Sequence, residues 1–310
     1  MTSKVELVLG PPASGKTFFT NNQFKDYTRL NRDEMGGTIA GLVPKLDLLL
    51  SENKNVVLDN LFPTAADRKP FIEVAKKHGA KISCTLIDLA IEDCTTNACA
   101  RMMRNHNNIL SPEEIKKSKN PNDIPAVVLF KYKKEFQKPT TTEGFDNIVS
   151  VKGFKQDYSS FTNKAVIFDY DGTLREVIGG GKYPTKPEQV RILPGRKEKL
   201  AKLKQEGYLL LGASNQSGIA KGDLTLEDSI ACFEETNKQL GFDIEYKFCP
   251  HKVPPINCFC RKPQTGLAIY FIFKYKLNPS NSWFVGDMTS DRTFATRSGL
   301  QYAEAERFFI

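Results

Sequence analysis

Two groups of residues in this 310-residue chain are suited to handling phosphoryl groups, and a third is suited to holding a metal. Residues 10–17, Gly10-Pro11-Pro12-Ala13-Ser14-Gly15-Lys16-Thr17, read G-x-x-x-x-G-K-T. The backbone N–H groups of such a loop, with the start of the following helix, make a nest for phosphate oxygens. Gly10 and Gly15 frame that loop, Lys16 would reach the β- and γ-phosphates, and Thr17 would ligate Mg²⁺. At 169–173, Asp169-Tyr170-Asp171-Gly172-Thr173 sets two carboxylates two positions apart. Cys249-Pro250-His251 and Cys258-Phe259-Cys260 add three thiols and an imidazole on a short Pro-rich loop. That donor set suits a closed, structural zinc site; a reducible disulfide or ordinary loop positions are the alternatives.

The elements that must position these residues follow from periodicity. Apolar runs that precede the motifs predict strands over 5–9 and 165–168, each ending where the chemistry begins. Further strands are expected over 55–58, 80–87 and 147–151, with helices between them, for instance 65–78. Ser111 followed by Pro112-Glu113-Glu114 reads as an N-cap with proline at the first helical position. Alternating strands and helices in both halves imply α/β domains built on mostly parallel sheets. Residues 138–142 form a polar turn and 153–163 are polar without a period, so a domain boundary is placed near 158. This gives domains over 1–157 and 158–310. No internal repeat interrupts either half.

After the P-loop comes Asn31-Arg32-Asp33, and here the first half resembles the 5′-hydroxyl polynucleotide kinases. The resemblance implies that Asp33 is the general base for the attacking hydroxyl and that Arg32 and Asp59 bind the acceptor. It also implies that Arg101, on a helix with Asn97 and Arg104, clamps the donor phosphates. Asn97 stands where some members have a second arginine. A solvated turn for residues 31–33 and a solvated helix face for Arg101 and Arg104 are the plainer readings.

The second half resembles the haloacid dehalogenase phosphatases, with four motifs in order. The resemblance implies that Asp169 is the nucleophile, giving an aspartyl-phosphate, and that Asp171 is the acid and then the base. Ser214, in Ser214-Asn215-Gln216-Ser217-Gly218, would bind a phosphate oxygen, and Lys262 would neutralise developing charge. Asp169, Asp171 and Asp287, with Asp291 four residues on, would hold Mg²⁺. The Cys249, His251, Cys258 and Cys260 set resembles the zinc loop of histidinol-phosphate and heptose-bisphosphate phosphatases. The interval from Gly172 to Ser214 leaves no room for a large cap domain, and residues 179–183 read as a flexible loop instead. His78 and His106 are expected at the surface.

Composition sets outer bounds. A 40% hydrophobic content fits globular domains, and no apolar stretch approaches the ~20 residues of a membrane span. Without a signal-peptide pattern the chain is expected inside the cell, in cytoplasm or nucleus. Seven scattered cysteines do not form a disulfide framework. The formal charge of +8 leans toward a polyanionic partner. Taken with the resemblance, these features imply a P-loop kinase domain followed by a capless, Rossmann-like haloacid dehalogenase domain. The expected activities are ATP-dependent phosphorylation of 5′-hydroxyl ends and removal of 3′-phosphates, in DNA or RNA repair beside a nucleic acid ligase. A small-metabolite kinase fused to a sugar- or histidinol-phosphate-type phosphatase is the alternative, and a scaffold with decayed sites is argued against by its intact catalytic residues.

Overall fold

A computed structural model describes residues 2–252 and 258–310. The chain separates into two compact units, Met1–Asn97 with Ser118–Lys155, and Ala98–Lys117 with Gln156–Ile310.

The first unit is built on a five-stranded parallel sheet. Its strands are β1 (Lys4–Leu9), β2 (Thr28–Leu30), β3 (Val56–Asp59), β4 (Lys81–Asp88) and β5 (Asn147–Lys152), in the order β2-β3-β1-β4-β5. Parallel strands need crossovers, and helices supply them: α1 (Lys16–Gln23), α2 (Arg32–Met35), α3 (Val43–Ser51) and α4 (Ala65–Lys77) lie in the first unit. Helices α5 (Ile91–His106), α6 (Pro112–Lys117) and α7 (Ala126–Glu135) follow, and α5 from Ala98 onward packs with the second unit. The central strand β1 is covered on both sides. Val5, Leu7 and Leu9 pack with Leu46, Leu58 and Phe71, while Val8 joins Val57 and Ile87 on the opposite face. Burial on two faces is why these strands read as nearly continuous apolar runs. Thr64 caps α4 in a reciprocal pair with Asp67. His78, which closes that helix, is half-buried with Nε2 2.8 Å from Asp47 Oδ1, because the helix end turns its ring toward α3; His106 is exposed as expected.

The second unit repeats the theme. Strands β6 (Ala165–Phe168), β9 (Leu209–Asn215), β10 (Glu245–Cys249), β11 (Trp283–Gly286) and β12 (Gln301–Glu304) form a parallel sheet in the order β10-β9-β6-β11-β12. A short antiparallel hairpin of β7 (Arg175–Val177) and β8 (Val190–Ile192) rises directly after β6. Its connection holds Gly179, Gly180 and Gly181, all with positive φ. Helices α8 (Arg196–Gln205), α9 (Ser217–Lys221), α10 (Leu226–Leu240), α11 (Gly266–Tyr275), α12 (Thr289–Ser298) and α13 (Ala305–Phe308) complete the unit. Between β6 and β9 stand the hairpin, a short 3-10 turn at Pro187–Gln189 and α8, so no cap domain is inserted there. Among the described residues no helix is long and apolar enough to cross a membrane.

Candidate active sites

Strands of a parallel sheet point the same way, so their C-terminal ends share one edge, and residues just beyond them converge. In the first unit that edge carries the P-loop after β1, Asn31-Arg32-Asp33 after β2, and Asp59-Asn60 at the end of β3.

Gly10 has φ +153°, and a Cβ there would lie 2.6 Å from the Ile87 carbonyl oxygen, so the tight exit from β1 requires glycine. Gly15, with φ +95°, precedes α1. Lys16 is buried and its Nζ donates to the carbonyls of Gly10 and Pro11 at 3.0 and 2.9 Å. Thr17 Oγ1 donates to Asp59 Oδ2 at 3.0 Å. The same oxygen accepts from Arg29 at 2.7 Å, while Asp59 Oδ1 is buried and finds no hydrogen-bond partner among the described residues. A buried, orphaned carboxylate oxygen beside the P-loop threonine fits the shell of a hard divalent cation.

Asn31 is the residue that builds the acceptor side. Its Oδ1 caps α2 by accepting from the Glu34 N–H at 3.1 Å, and its Nδ2 donates to the Asp59 main-chain oxygen at 2.6 Å. Asn60 returns the tie, accepting from the Arg32 N–H at 3.0 Å and donating to the Leu30 oxygen at 3.2 Å. These bonds fix the start of α2 against β3, and Asp33 then projects with half its side chain exposed, ion-paired with Arg32. Arg29, which pairs with both Asp59 and Glu34, carries no sequence motif; only the fold brings it to Asp59. Asn97, 4% exposed, donates to the main-chain oxygens of Ala13 at 2.8 Å and Phe154 at 2.7 Å. It therefore holds the P-loop itself. Arg101 is half-buried on the part of α5 that packs with the second unit. Arg104, also there, lies over the Phe273 ring at 5.3 Å.

In the second unit the same kind of edge gathers Asp169 and Asp171 after β6, Ser214 at the end of β9, and Asp287 after β11. Lys262 Nζ is 3.0 Å from Asp169 Oδ1 and 2.8 Å from Asp291 Oδ1. Burial would by itself lower the Lys262 pKa, but these two carboxylates outweigh it and hold the ammonium above its usual range. Burial pushes the Asp169 carboxyl up to about 6, against the pull of Lys262 and with added repulsion from Asp291 and Asp171. The Asp287 carboxyl is likewise raised, by burial first and then by Asp291.

Carboxylate oxygens of Asp169, Asp287 and Asp291 all lie within 4.8 Å of one another. Three carboxylates facing one ammonium leave excess negative charge, which a divalent cation with oxygen ligands would neutralise; the residues fit Mg²⁺. Two glycines make room: a Cβ on Gly172 would sit 2.4 Å from Asp287 Oδ2, and one on Gly286 would sit 2.4 Å from Asp291 Oδ2. The Asp171 carboxylate, expected among the ligands, stands outside this set. Arg175 donates to its Oδ1 and Gln216 to its Oδ2, both at 2.8 Å. Those two residues fix the Asp171 carboxylate, and Asp291 supplies the third converging carboxylate. Gln216 also donates to Ser214 Oγ at 3.1 Å. Asn215 grips the main chain of Lys262, accepting from its N–H at 3.0 Å and donating to its oxygen at 3.1 Å. The motif string after β9 was legible in the sequence; the tasks of Asn215 and Gln216 were not.

The cysteine and histidine set closes on itself at the end of β10. His251 Nδ1 lies 3.3 Å from Cys249 Sγ and 3.2 Å from Cys260 Sγ, and Cys249 Sγ is 3.7 Å from Cys258 Sγ. A tetrahedron with ~2.3 Å zinc–sulfur bonds has edges of about 3.7 Å, so the four donors fit zinc. Residues 253–257, in the Pro-rich stretch between the two donor pairs, lie outside the described residues. Cys260 is followed after one residue by Lys262, so the donors and the Lys262 ammonium lie on one stretch of chain.

Comparison with known proteins finds a separate match in each half of the chain. The profile of the family described as polynucleotide kinase 3 phosphatase matches residues 164–309, and one described as an AAA domain matches residues 5–119. D-glycero-beta-D-manno-heptose-1,7-bisphosphate 7-phosphatase of Pasteurella multocida is 34% identical over 137 residues, 41% of this chain and 73% of that protein. The protein of the same description from Helicobacter pylori is 35% identical over 139 residues, covering 42% and 76%. The histidine biosynthesis bifunctional protein HisB of Legionella pneumophila is 31% identical over 144 residues, 45% of this chain and 40% of that protein. With a P-loop domain in front and this phosphatase domain behind it, the chain belongs to the bifunctional kinase/phosphatase family, whose second half is a haloacid dehalogenase phosphatase domain.

Proposed function

We propose that the chain heals nucleic-acid ends, phosphorylating 5′-hydroxyls from ATP in its first half and removing 3′-phosphates in its second. The observation that carries this reading is the build of residues 31–33. Asn31 is spent on capping α2 and tying it to β3, which leaves Asp33 solvent-facing at the sheet edge that bears the Lys16 and Thr17 loop. A carboxylate so presented can take the proton of an incoming hydroxyl and orient its oxygen toward the γ-phosphate. Lys16 would draw charge from the transferring phosphoryl group, and Arg32 and Asp59 would receive the acceptor. Arg101 is assigned to the donor phosphates. Mg²⁺ bound through Thr17 would neutralise phosphate charge.

In the phosphatase half Asp169 attacks phosphorus, and Asp171, held by Arg175 and Gln216, gives its proton to the departing 3′-oxygen. Asp171 then takes a proton from the water that opens the aspartyl-phosphate. Ser214 and Lys262 hold the phosphoryl oxygens. Mg²⁺ at Asp169, Asp287 and Asp291 would offset the charge gathering there, and zinc at the four-donor loop would be structural. The absence of a cap domain leaves room for a strand end. The products are the ends a nucleic acid ligase joins, which makes a ligase the functional partner.

The phosphatase half also supports a second reading, a kinase fused to a small-metabolite phosphatase, because its curated relatives are named for heptose bisphosphate and histidine biosynthesis. Purified protein incubated with 5′-hydroxyl and 3′-phosphate oligonucleotides beside heptose 1,7-bisphosphate separates the two. End healing requires turnover of both oligonucleotides, lost selectively at the 5′ end in Lys16→Ala or Asp33→Asn. Turnover of the sugar phosphate alone would replace it with the second reading.

A further inference from the structure

Helix α8 carries a local excess of positive charge. Its ten residues, Arg-Lys-Glu-Lys-Leu-Ala-Lys-Leu-Lys-Gln, hold five cations and one acid. Arg196 and Lys197 share the first turn with Glu198, and Lys202 and Lys204 occupy the last turn, so cations run along the whole helix. Gly195 precedes it and gives no side-chain cap. Arg196 and Lys199, and Lys199 and Lys202, are like-charged at a spacing of three, each pair costing a few tenths of a kcal/mol. Among the described residues no carboxylate oxygen lies within 4.0 Å of Arg196, Lys197, Lys199, Lys202 or Lys204. Elsewhere in this unit Lys186, Arg191, Lys238 and Lys274 each have such a partner.

Only Leu200 and Leu203 of α8 are buried, and they anchor the helix while Lys197, Lys202 and Lys204 face solvent. Aromatic rings underlie the cations: Arg196 lies 4.3 Å from the Phe309 centroid, Lys199 4.7 Å from Phe308, and Lys164 4.3 Å from Tyr208. The helix is also joined to the phosphatase site. Arg196 Nε donates to the Thr173 main-chain oxygen at 3.0 Å, and Thr173 ends the loop that carries Asp169 and Asp171. An open depression of about 430 Å³, lined by Arg191, Arg196 and Lys197 among others, continues the cationic surface there.

Resting on the end-healing reading, we infer that α8 is the track for the phosphodiester backbone of the strand whose 3′-phosphate enters the Asp169 site. A local excess of positive charge is balanced when a polyanion supplies the missing negative charge. A ten-residue helix spans about 15 Å, the length of about four nucleotides of a duplex strand. The track contributes affinity for long substrates and nothing to the chemistry.

The test is the full-length Lys197→Glu/Lys202→Glu/Lys204→Glu variant beside wild type. The substrates are a short 3′-phosphorylated DNA strand and a nucleoside 3′-monophosphate. The track predicts a KM for the strand raised about tenfold or more, with the mononucleotide reaction and the melting temperature unimpaired. The slope of log KM against log salt should fall by about 2 to 3, roughly 0.7–0.9 per lost phosphate contact. An unchanged KM and salt slope for the strand, with wild type active, would overturn the track and leave end healing standing. A wild type inactive on the DNA strand but active on heptose 1,7-bisphosphate would remove both.

Discussion

Substituting Asn97 by alanine tests whether the P-loop is shaped by a residue far from it in sequence. The Asn97 amide bridges the Ala13 and Phe154 carbonyls at 2.8 and 2.7 Å, and Phe154 N–H donates to the Ser14 oxygen at 2.9 Å. Between them these bonds hold Ala13 at φ +60°, a left-handed conformation that costs a non-glycine residue about 1 kcal/mol or more. Each lost hydrogen bond is worth about 1 kcal/mol net, and two part-buried carbonyls left without this donor raise the total to about 2–3 kcal/mol. Expressed in nucleotide binding, that is about a 30- to 150-fold higher Kd for ATP. Expressed in folding, it is a lower melting temperature of the first unit. The assay is calorimetric titration with ATP together with thermal unfolding, with 3′-phosphatase activity as the internal control. Asn97→Asp should be worse than Asn97→Ala, since it turns a carboxylate oxygen toward two carbonyls. Unchanged ATP affinity and unchanged unfolding in Asn97→Ala would refute the reasoning.

The remaining predictions concern the second unit. Asp169→Asn should abolish phosphatase activity, and Asp171→Asn should slow it by roughly 10²–10⁴-fold; phosphate trapped by mass spectrometry on any residue other than Asp169 counts against this mechanism. Gly172→Ala places a Cβ 2.4 Å from Asp287 Oδ2 at φ +79°, so it should weaken Mg²⁺ dependence of the phosphatase at least tenfold while the kinase is unchanged. Wild-type Mg²⁺ titration of that variant would show that Asp287 is not needed where it stands. Elemental analysis should find about one zinc per chain, and Cys258→Ser should lower phosphatase activity and the stability of the second unit, with the kinase near normal. A metal-free native protein, or full phosphatase activity in a Cys258→Ser/Cys260→Ser variant, returns these cysteines to ordinary loop positions.

The sequence alone determined the α/β class, the order of the two halves and the strand-end motifs. Those features are local: an apolar run followed by Gly15-Lys16-Thr17, or by Asp169-Tyr170-Asp171, states both the strand and the chemistry at its end. Even the four cysteine and histidine donors lie within twelve residues of chain from Cys249 to Cys260. What the sequence could not state is which side chains meet across crossovers. Arg29 reaches Asp59 from another strand, and Asn97 reaches Ala13 from a helix that begins after β4. Gln216 and Arg175 hold Asp171, and Asp291 joins Asp169 and Asp287. The stretch Ala98–Lys117 follows strands of the first unit yet packs with the second. Each of these depends on the parallel sheet, whose crossovers carry strand ends distant along the chain to one edge. A motif records what stands at a strand end, and only the folded sheet decides what stands beside it.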